Sequence, residues 1–211
     1  MTKQQILDLF RNDAVKMRIL EVVAAADLGD WWIGAGFLRN TVWEARFGTG
    51  KAVPLNDIDV AYWKPLSSYG VPEAQLVGSI QKDESNPVSE EEERLAHEFQ
   101  EQIPSVTFEV KNQARMHLWS ARAHERKPYD SAADGIADWV ETATAVGIRI
   151  ASDGSLKLCA PWGIQDLVEG IVRPTRPELS TWTKERAAAK GWYTLWPELR
   201  FEEYENGSWN R

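Results

Sequence analysis

Two aspartates one residue apart, Asp57 and Asp59 in "LNDIDVAYW", open an apolar run bounded by Pro54 and Pro65. A run of that composition predicts a strand, and residues i and i+2 of a strand project from the same face, so the two carboxylates stand together while Ile58 enters the core. Side by side, two carboxylates repel, and a divalent cation between them removes the conflict. Glu109, on the polar face of a second predicted strand ("SVTFEVKNQ"), completes a three-carboxylate cup if the strands are neighbours. Donors that are all oxygen suit Mg²⁺ or Mn²⁺ and not zinc. The D-x-D pair alone also admits a plain reading, in which Asp57 caps a turn after Asn56 and Asp59 faces water at a strand start.

Some twenty residues upstream, "GAG" (Gly34, Ala35, Gly36) sits where an extended segment becomes a helix. Backbone N–H groups at such a helix start, with the positive end of its dipole, suit a phosphate. Arg39, one turn into the helix, is a candidate second phosphate donor or a residue of a solvated face. Lys111 shares a strand face with Glu109 and is a candidate phosphate or acceptor contact, or half of a salt bridge. Asn112 is placed to cap the following helix, and Thr142 and Thr144 stand before a strand, as candidate ribose or base contacts or as ordinary hydroxyls of a strand start. His117 and His124 have no second histidine at metal spacing and are not taken as ligands, and His97 sits on a charged helix.

The elements that must position these groups follow from periodicity. Residues 3 to 27 carry apolar side chains three and four apart, which predicts two helices broken near Asn12 and Asp13. A helix follows the glycines and ends at Gly48 and Gly50. Residues 65 to 88, with three prolines, are expected to be a polar connection, either a lid or poorly ordered. In "SEEEERLAHEF", Ser89 and Glu92 predict a capping box, with the four glutamates on a solvated face. Further on, a helix around 131 to 140 starts at Asp130 or Ser131, "SDG" joins two strands as a hairpin, Pro161 starts another helix, and a last one runs near 180 to 189. Strand, helix and strand in this order give an α/β (α+β) fold with a mixed sheet and helical flanks.

Composition narrows the partners. The 211 residues suit one domain, and 43% hydrophobic with 27% charged residues excludes a disordered or fibrous chain. The net charge of −8 repels nucleic acid and anionic membranes. One cysteine, Cys159, excludes an internal disulfide, and no apolar stretch suits a membrane span or signal, so a soluble, unexported, cytoplasmic protein is expected. Eleven tryptophans without a fixed period read as core and cleft packing with some stacking platforms.

The segments "GAGFLRNTVW", "NDIDVAYW" and "FEVKNQARMHLW", in that order, followed by "PYDSAADGIADWVETATAVGIRI" and "APWGIQDLVEGIVRPT", resemble the bacterial nucleotidyltransferase-like family of the polymerase-beta superfamily over about residues 20 to 176. The resemblance implies a minimal nucleotidyltransferase fold in which Gly34 and Gly36 hold the triphosphate of an NTP and Asp57, Asp59 and Glu109 hold Mg²⁺ or Mn²⁺. It implies residues 1–176 as the nucleotidyltransferase-like domain with its N-terminal helices, and 177–211 as a helical, Trp-rich extension on the same domain. The departure is Phe37, which follows Gly36 where the superfamily usually carries a serine. The expected activity is Mg²⁺-dependent transfer of a nucleoside monophosphate to a small molecule or protein. A non-catalytic nucleotide-binding or protein-interaction module, and a metal-dependent phosphohydrolase, are the competing readings. Acceptor, preferred NTP and oligomeric state are not specified by the sequence.

Overall fold

The computed structural model describes residues 1–48, 50, 53–118 and 127–203. His124 and the end of the Trp-rich tail lie outside the described residues. Thr2 and Gln5 form a reciprocal capping box at the start of α1 (Lys3–Arg11), and Asp13 accepts the Val15 and Lys16 N–H groups to start α2 (Ala14–Ala24), so the break falls at Asn12 and Asp13. Then come β1 (Asp30–Gly34), α3 (Gly36–Phe47) and β2 (Asp57–Trp63), a single 3₁₀ turn (Leu66–Tyr69), α4 (Glu73–Gln81), α5 (Pro87–Gln102) and β3 (Thr107–Asn112). The chain continues through α6 (Gln113–Met116), α7 (Ala132–Ala137), the hairpin β4 (Gly147–Ile150) and β5 (Leu156–Cys159), α8 (Gln165–Glu169), β6 (Ile171–Val172), α9 (Ser180–Ala189), α10 (Trp192–Leu195) and β7 (Arg200–Phe201). Among the described residues no helix is long and apolar enough to cross a membrane.

The main sheet has the order β3-β2-β1-β4-β5 and is mixed: β2 and β3 run parallel, and every other neighbouring pair is antiparallel. Its two faces have different fates, set by the two-residue period of each strand. Trp31, Ile33, Ile58, Val60, Tyr62, Phe108, Val110 and Ile148 enter one large cluster with side chains of α1, α2, α3 and α5. The opposite face carries Trp32 and Ala61, which pack under Ala132 and Ile136 of α7, and at its other end the polar side chains of Asp57, Asp59 and Glu109.

Residues 65 to 88 differ from the expected structureless connection. They hold the 3₁₀ turn and α4, whose Leu76 and Ile80 bury themselves with Val88 in a separate small cluster. The prolines are accommodated because each stands at an element start, where no backbone N–H is needed. The start of α5 also differs. Asn86 is the cap, Pro87 is the first helical residue and Ser89 closes the box from the third position, so the cap lies three residues earlier than Ser89. The glutamates are not one solvated face. Glu92 is 3% exposed and receives Arg115 Nε at 2.8 Å and the Asn112 N–H at 2.7 Å, and Glu91 accepts from Lys64 Nζ at 2.6 Å and from the Tyr62 hydroxyl at 3.0 Å. Pro161 opens a turn rather than a helix, and α8 begins four residues later at Gln165.

The C-terminal segment is part of the same core. Trp192, Trp196 and Leu199 join the large cluster, and Trp43 of α3 meets Trp192 and Trp196 edge-on, with ring centroids 5.3 and 5.2 Å apart. Two of these indoles have their polar ends satisfied: Trp43 Nε1 donates to the Leu167 carbonyl at 3.0 Å and Trp196 Nε1 to Glu44 at 3.2 Å.

Candidate active site

In the parallel β2·β3 ladder Asp59 is the register partner of Glu109, and Asp57 of Thr107. Partners in a parallel pair lie about 4.8 Å apart and present their side chains to one face. Asp57, Asp59 and Glu109 therefore share a sheet face although about fifty residues separate the first from the last. Asp57 and Glu109 are exposed and Asp59 is half-buried. Burial, then repulsion from Glu109, push the Asp59 pKa up to about 6; Arg39 opposes this, Asp57 adds to it and Arg186 opposes it again. Among the described residues no group of three or more His, Cys, Asp or Glu side chains stands in an arrangement that holds a metal ion. The donor set nonetheless fits one: three oxygen ligands on one face, two on side chains free to rotate in solvent, with a charge conflict that only a proton or a cation relieves.

The same end of the sheet carries the start of α3. The antiparallel register pairs Ile33 with Val60, which sets Gly34, one residue further, across from Asp59. Between strand and helix the chain makes its turn at Ala35, whose φ of 48° and ψ of −124° lie in a region that favours glycine. No side chain caps α3, so its first N–H groups point outward with the positive end of the helix dipole. The two glycines differ. A β-carbon on Gly34 would come within 2.6 Å of both the Trp139 ring and the Val146 carbonyl oxygen, so packing alone requires glycine here. At Gly36 the nearest atoms would be Asn40 Nδ2 at 3.6 Å and Arg39 Nη2 at 3.8 Å, and a cavity of about 280 Å³ opens there against residues 53 to 55.

Arg39 is 4% exposed. Its Nη1 donates to Thr144 Oγ1 at 2.8 Å, its Nη2 to Asn40 Oδ1 at 2.9 Å, and its Cζ lies 4.1 Å from the Trp192 ring. Burial lowers its pKa, and the charges of Glu141 and Asp59 oppose that shift. A second arginine, not foreseen from the sequence, completes the group. Arg186 of α9 donates from Nη1 to both oxygens of the fully buried Glu141, at 2.8 and 2.9 Å, and its Cζ lies 5.1 Å from the same Trp192 ring. Nothing local marks Arg186 or Glu141; only the fold pairs them and brings the Arg186 charge to bear on Asp59.

The remaining candidates are placed elsewhere. Lys111 reaches Glu92 at 3.7 Å, in an ion pair at the edge of β3. Asn112 is fully buried and structural: it caps α6 through the Ala114 N–H at 3.0 Å, accepts the Lys64 N–H at 3.1 Å, and donates to the Tyr69 hydroxyl at 3.0 Å. Thr144 holds Arg39, whereas Thr142 donates to Asp166 at 2.6 Å. His97 lies on the exposed side of α5, 3.8 Å from Glu101, and His117 is buried with its pKa lowered by desolvation. Burial also pushes the Cys159 thiol up to about 11, which keeps it protonated.

Residues 21–201 match the model of a protein family described as nucleotidyltransferase. No curated protein matches the chain. A solved structure, described as "The NMR structure of the protein reveals a CCA-adding enzyme head domain", is similar over 96% of this chain and 97% of that one, with a TM-score of 0.70 and 27% identical residues.

Proposed function

The chain belongs to the nucleotidyltransferase family, of polymerase-beta type, and from that premise we propose that it transfers a nucleoside monophosphate from an NTP to a hydroxyl-bearing acceptor, with Mg²⁺ or Mn²⁺ held by Asp57, Asp59 and Glu109. The observation that carries this reading is the in-register pairing of Asp59 with Glu109, on the same face and at the same end of the sheet as the uncapped start of α3. A bound divalent ion would neutralise phosphate charge and lower the pKa of the acceptor hydroxyl. The chain's own groups do the rest. The N–H groups at Gly36 receive phosphate oxygens, and Arg39 supplies fixed positive charge beside them. Glu109, exposed as Asp57 is, takes the acceptor proton. The acceptor oxygen forms the new bond to the α-phosphorus, the bond from that phosphorus to the bridging oxygen breaks, and pyrophosphate leaves with the bond's electron pair.

The test is calorimetric binding of each NTP with and without Mg²⁺, followed by product analysis with α-labelled NTP and a cell extract. Mg²⁺-dependent NTP binding with label transferred to a new species is expected. Binding without any turnover identifies a non-catalytic nucleotide module, and release of nucleoside monophosphate without an acceptor identifies a phosphohydrolase.

A further inference from the structure

One short segment, residues 141–146, holds two arginines from distant parts of the chain. Thr144 accepts Arg39 Nη1 at 2.8 Å, and the fully buried Glu141 accepts Arg186 Nη1 through both oxygens, at 2.8 and 2.9 Å. The segment is itself tied down. The Thr144 and Ala145 N–H groups donate to the Glu141 carbonyl at 2.9 and 2.8 Å, and the Val146 carbonyl packs against Gly34. Both guanidinium groups lie by one ring, with Cζ of Arg39 4.1 Å and Cζ of Arg186 5.1 Å from the centroid of Trp192. Arg39 Nη2 in turn stands 3.8 Å from where a β-carbon on Gly36 would be, so the pair borders the start of α3.

The two arginines differ in what they have left to donate. Arg39 is 4% exposed, and its Nη1, Nη2 and Nε are all engaged, by Thr144 and Asn40. The Arg186 side chain is 22% exposed and only its Nη1 is engaged. Among the described residues its Nε and Nη2 donate to nothing, and neither is enclosed by protein, so this edge of the guanidinium reaches solvent. Trp182, one turn earlier on α9 with its ring 5.8 Å from Cζ, and Trp192 flank the group and restrict its rotation. Glu141 compensates one of the two positive charges. Arg186 nevertheless lowers the Arg39 pKa, and both act on Asp59, so two like charges are held together beside the acid trio in a chain of net charge −8.

We propose that Arg186 is a substrate-binding residue, which donates from Nε and Nη2 to the β- and γ-phosphates of an NTP, so that the C-terminal segment supplies half of a two-arginine clamp. Arg39 contributes charge from behind, whereas Arg186 makes the bonds. Nε and Nη2 form one side of a planar fork whose parallel N–H groups match two phosphate oxygens, a geometry that an ammonium group lacks. As the bond from the α-phosphorus to the bridging oxygen breaks, negative charge gathers on the departing pyrophosphate, and both guanidinium groups stabilise it there. This inference rests on the nucleotidyl-transfer reading above.

An Arg186 that served only as the counter-charge of Glu141 would behave differently, and calorimetry separates the two roles. Inorganic tripolyphosphate, the four ribonucleoside triphosphates and their monophosphates are titrated with Mg²⁺ into the full-length protein, at low and high salt. The variants are Arg186→Lys, which keeps a cation for Glu141, and the double variant Glu141→Gln, Arg186→Gln, which removes both charges and leaves no buried carboxylate unpaired. Both are expected to bind tripolyphosphate and the tightest NTP about tenfold or more weakly, with a smaller salt dependence, while monophosphate affinity stays as in the parent. Cooperative melting is the control for folding; if the double variant lacks it, Arg186→Lys decides. A folded variant that binds tripolyphosphate and NTP as the parent does, or that loses mono- and triphosphate affinity alike, would overturn the assignment and leave the transfer reading standing. A parent that binds tripolyphosphate through Arg186 but no NTP would sink the transfer reading and leave an anion site, and a parent that binds neither would sink both.

Discussion

At Asp59, burial and the neighbouring Glu109 and Asp57 carboxylates raise the pKa from 3.8 to about 6, against the pull of Arg39 and Arg186. Folding therefore tightens the hold on this proton. Below the unfolded value both states are protonated and the shift has no effect; stability then falls as pH rises through the interval from about 4 to 6, and the full penalty, on the order of 1–3 kcal/mol, persists at neutral pH in metal-free protein. Asp59→Asn, which cannot ionise, should raise the melting temperature in EDTA at pH 8 by several degrees, with the gain gone near pH 4. The same variant should gain no stability from Mg²⁺ and NTP. Scanning calorimetry at the two pH values decides the first point: a variant that melts lower at both would mark Asp59 as a structural residue whose carboxylate accepts needed donors. The D-x-D spacing was readable in the sequence because strand alternation is local. The effect of Arg186 was not, because it acts from 127 residues away in the chain.

The turn from β1 into α3 joins two glycines with separate duties. In sequence they form one motif, and its spacing points both at phosphate. The structure separates them, because what a side chain at Gly34 would strike, the Trp139 ring and the Val146 carbonyl, arrives more than a hundred residues later. Gly34→Ala should destabilise the fold by about 2 kcal/mol or more, since backbone cannot give way as a side-chain tip does. Gly36→Ala has room and should fold normally, yet lower NTP affinity about tenfold by crowding the helix start. Urea melts and calorimetric titration of both variants separate the two effects; equal stability losses would contradict the division. The misread segments share one physical cause. Leu76, Ile80 and Val88 were visible as apolar residues, but three prolines suggested a loop, and the prolines turned out to begin elements rather than break them. Glu92 looked like one of four solvated acids until Arg115, on a different element, gave it a partner.

Across the whole molecule, the fold class was legible from alternating strand and helix patterns, while the strand order was not, since nothing local says that β3 adds beside β2 in parallel. That one pairing decides whether Glu109 meets Asp59. The C-terminal segment belongs to the same body: Trp192 and Trp196 are buried against Trp43, and Arg186 compensates the buried Glu141. Removing residues 177–211 should therefore leave an unpaired buried carboxylate and an open aromatic seam, a loss of at least 3–5 kcal/mol from the ion pair alone. The truncated chain is expected to bind hydrophobic dye and lose cooperative melting; a sharp transition near that of the full chain would show the segment to be dispensable.

The indole cluster also gives the protein an optical identity. Three tryptophan rings in edge contact couple their electronic transitions, so the near-ultraviolet dichroism of the folded chain carries a couplet that exists only while α3 and the C-terminal segment are docked. The Arg39 guanidinium, 4.1 Å from the Trp192 ring and 3.8 Å from where a β-carbon on Gly36 would stand, perturbs one member of that set with a unit charge. An anion settling at the start of α3 would pull on that charge, so its arrival would alter the absorption and emission of Trp192, and the proposed phosphate site would report its own occupancy without any attached label.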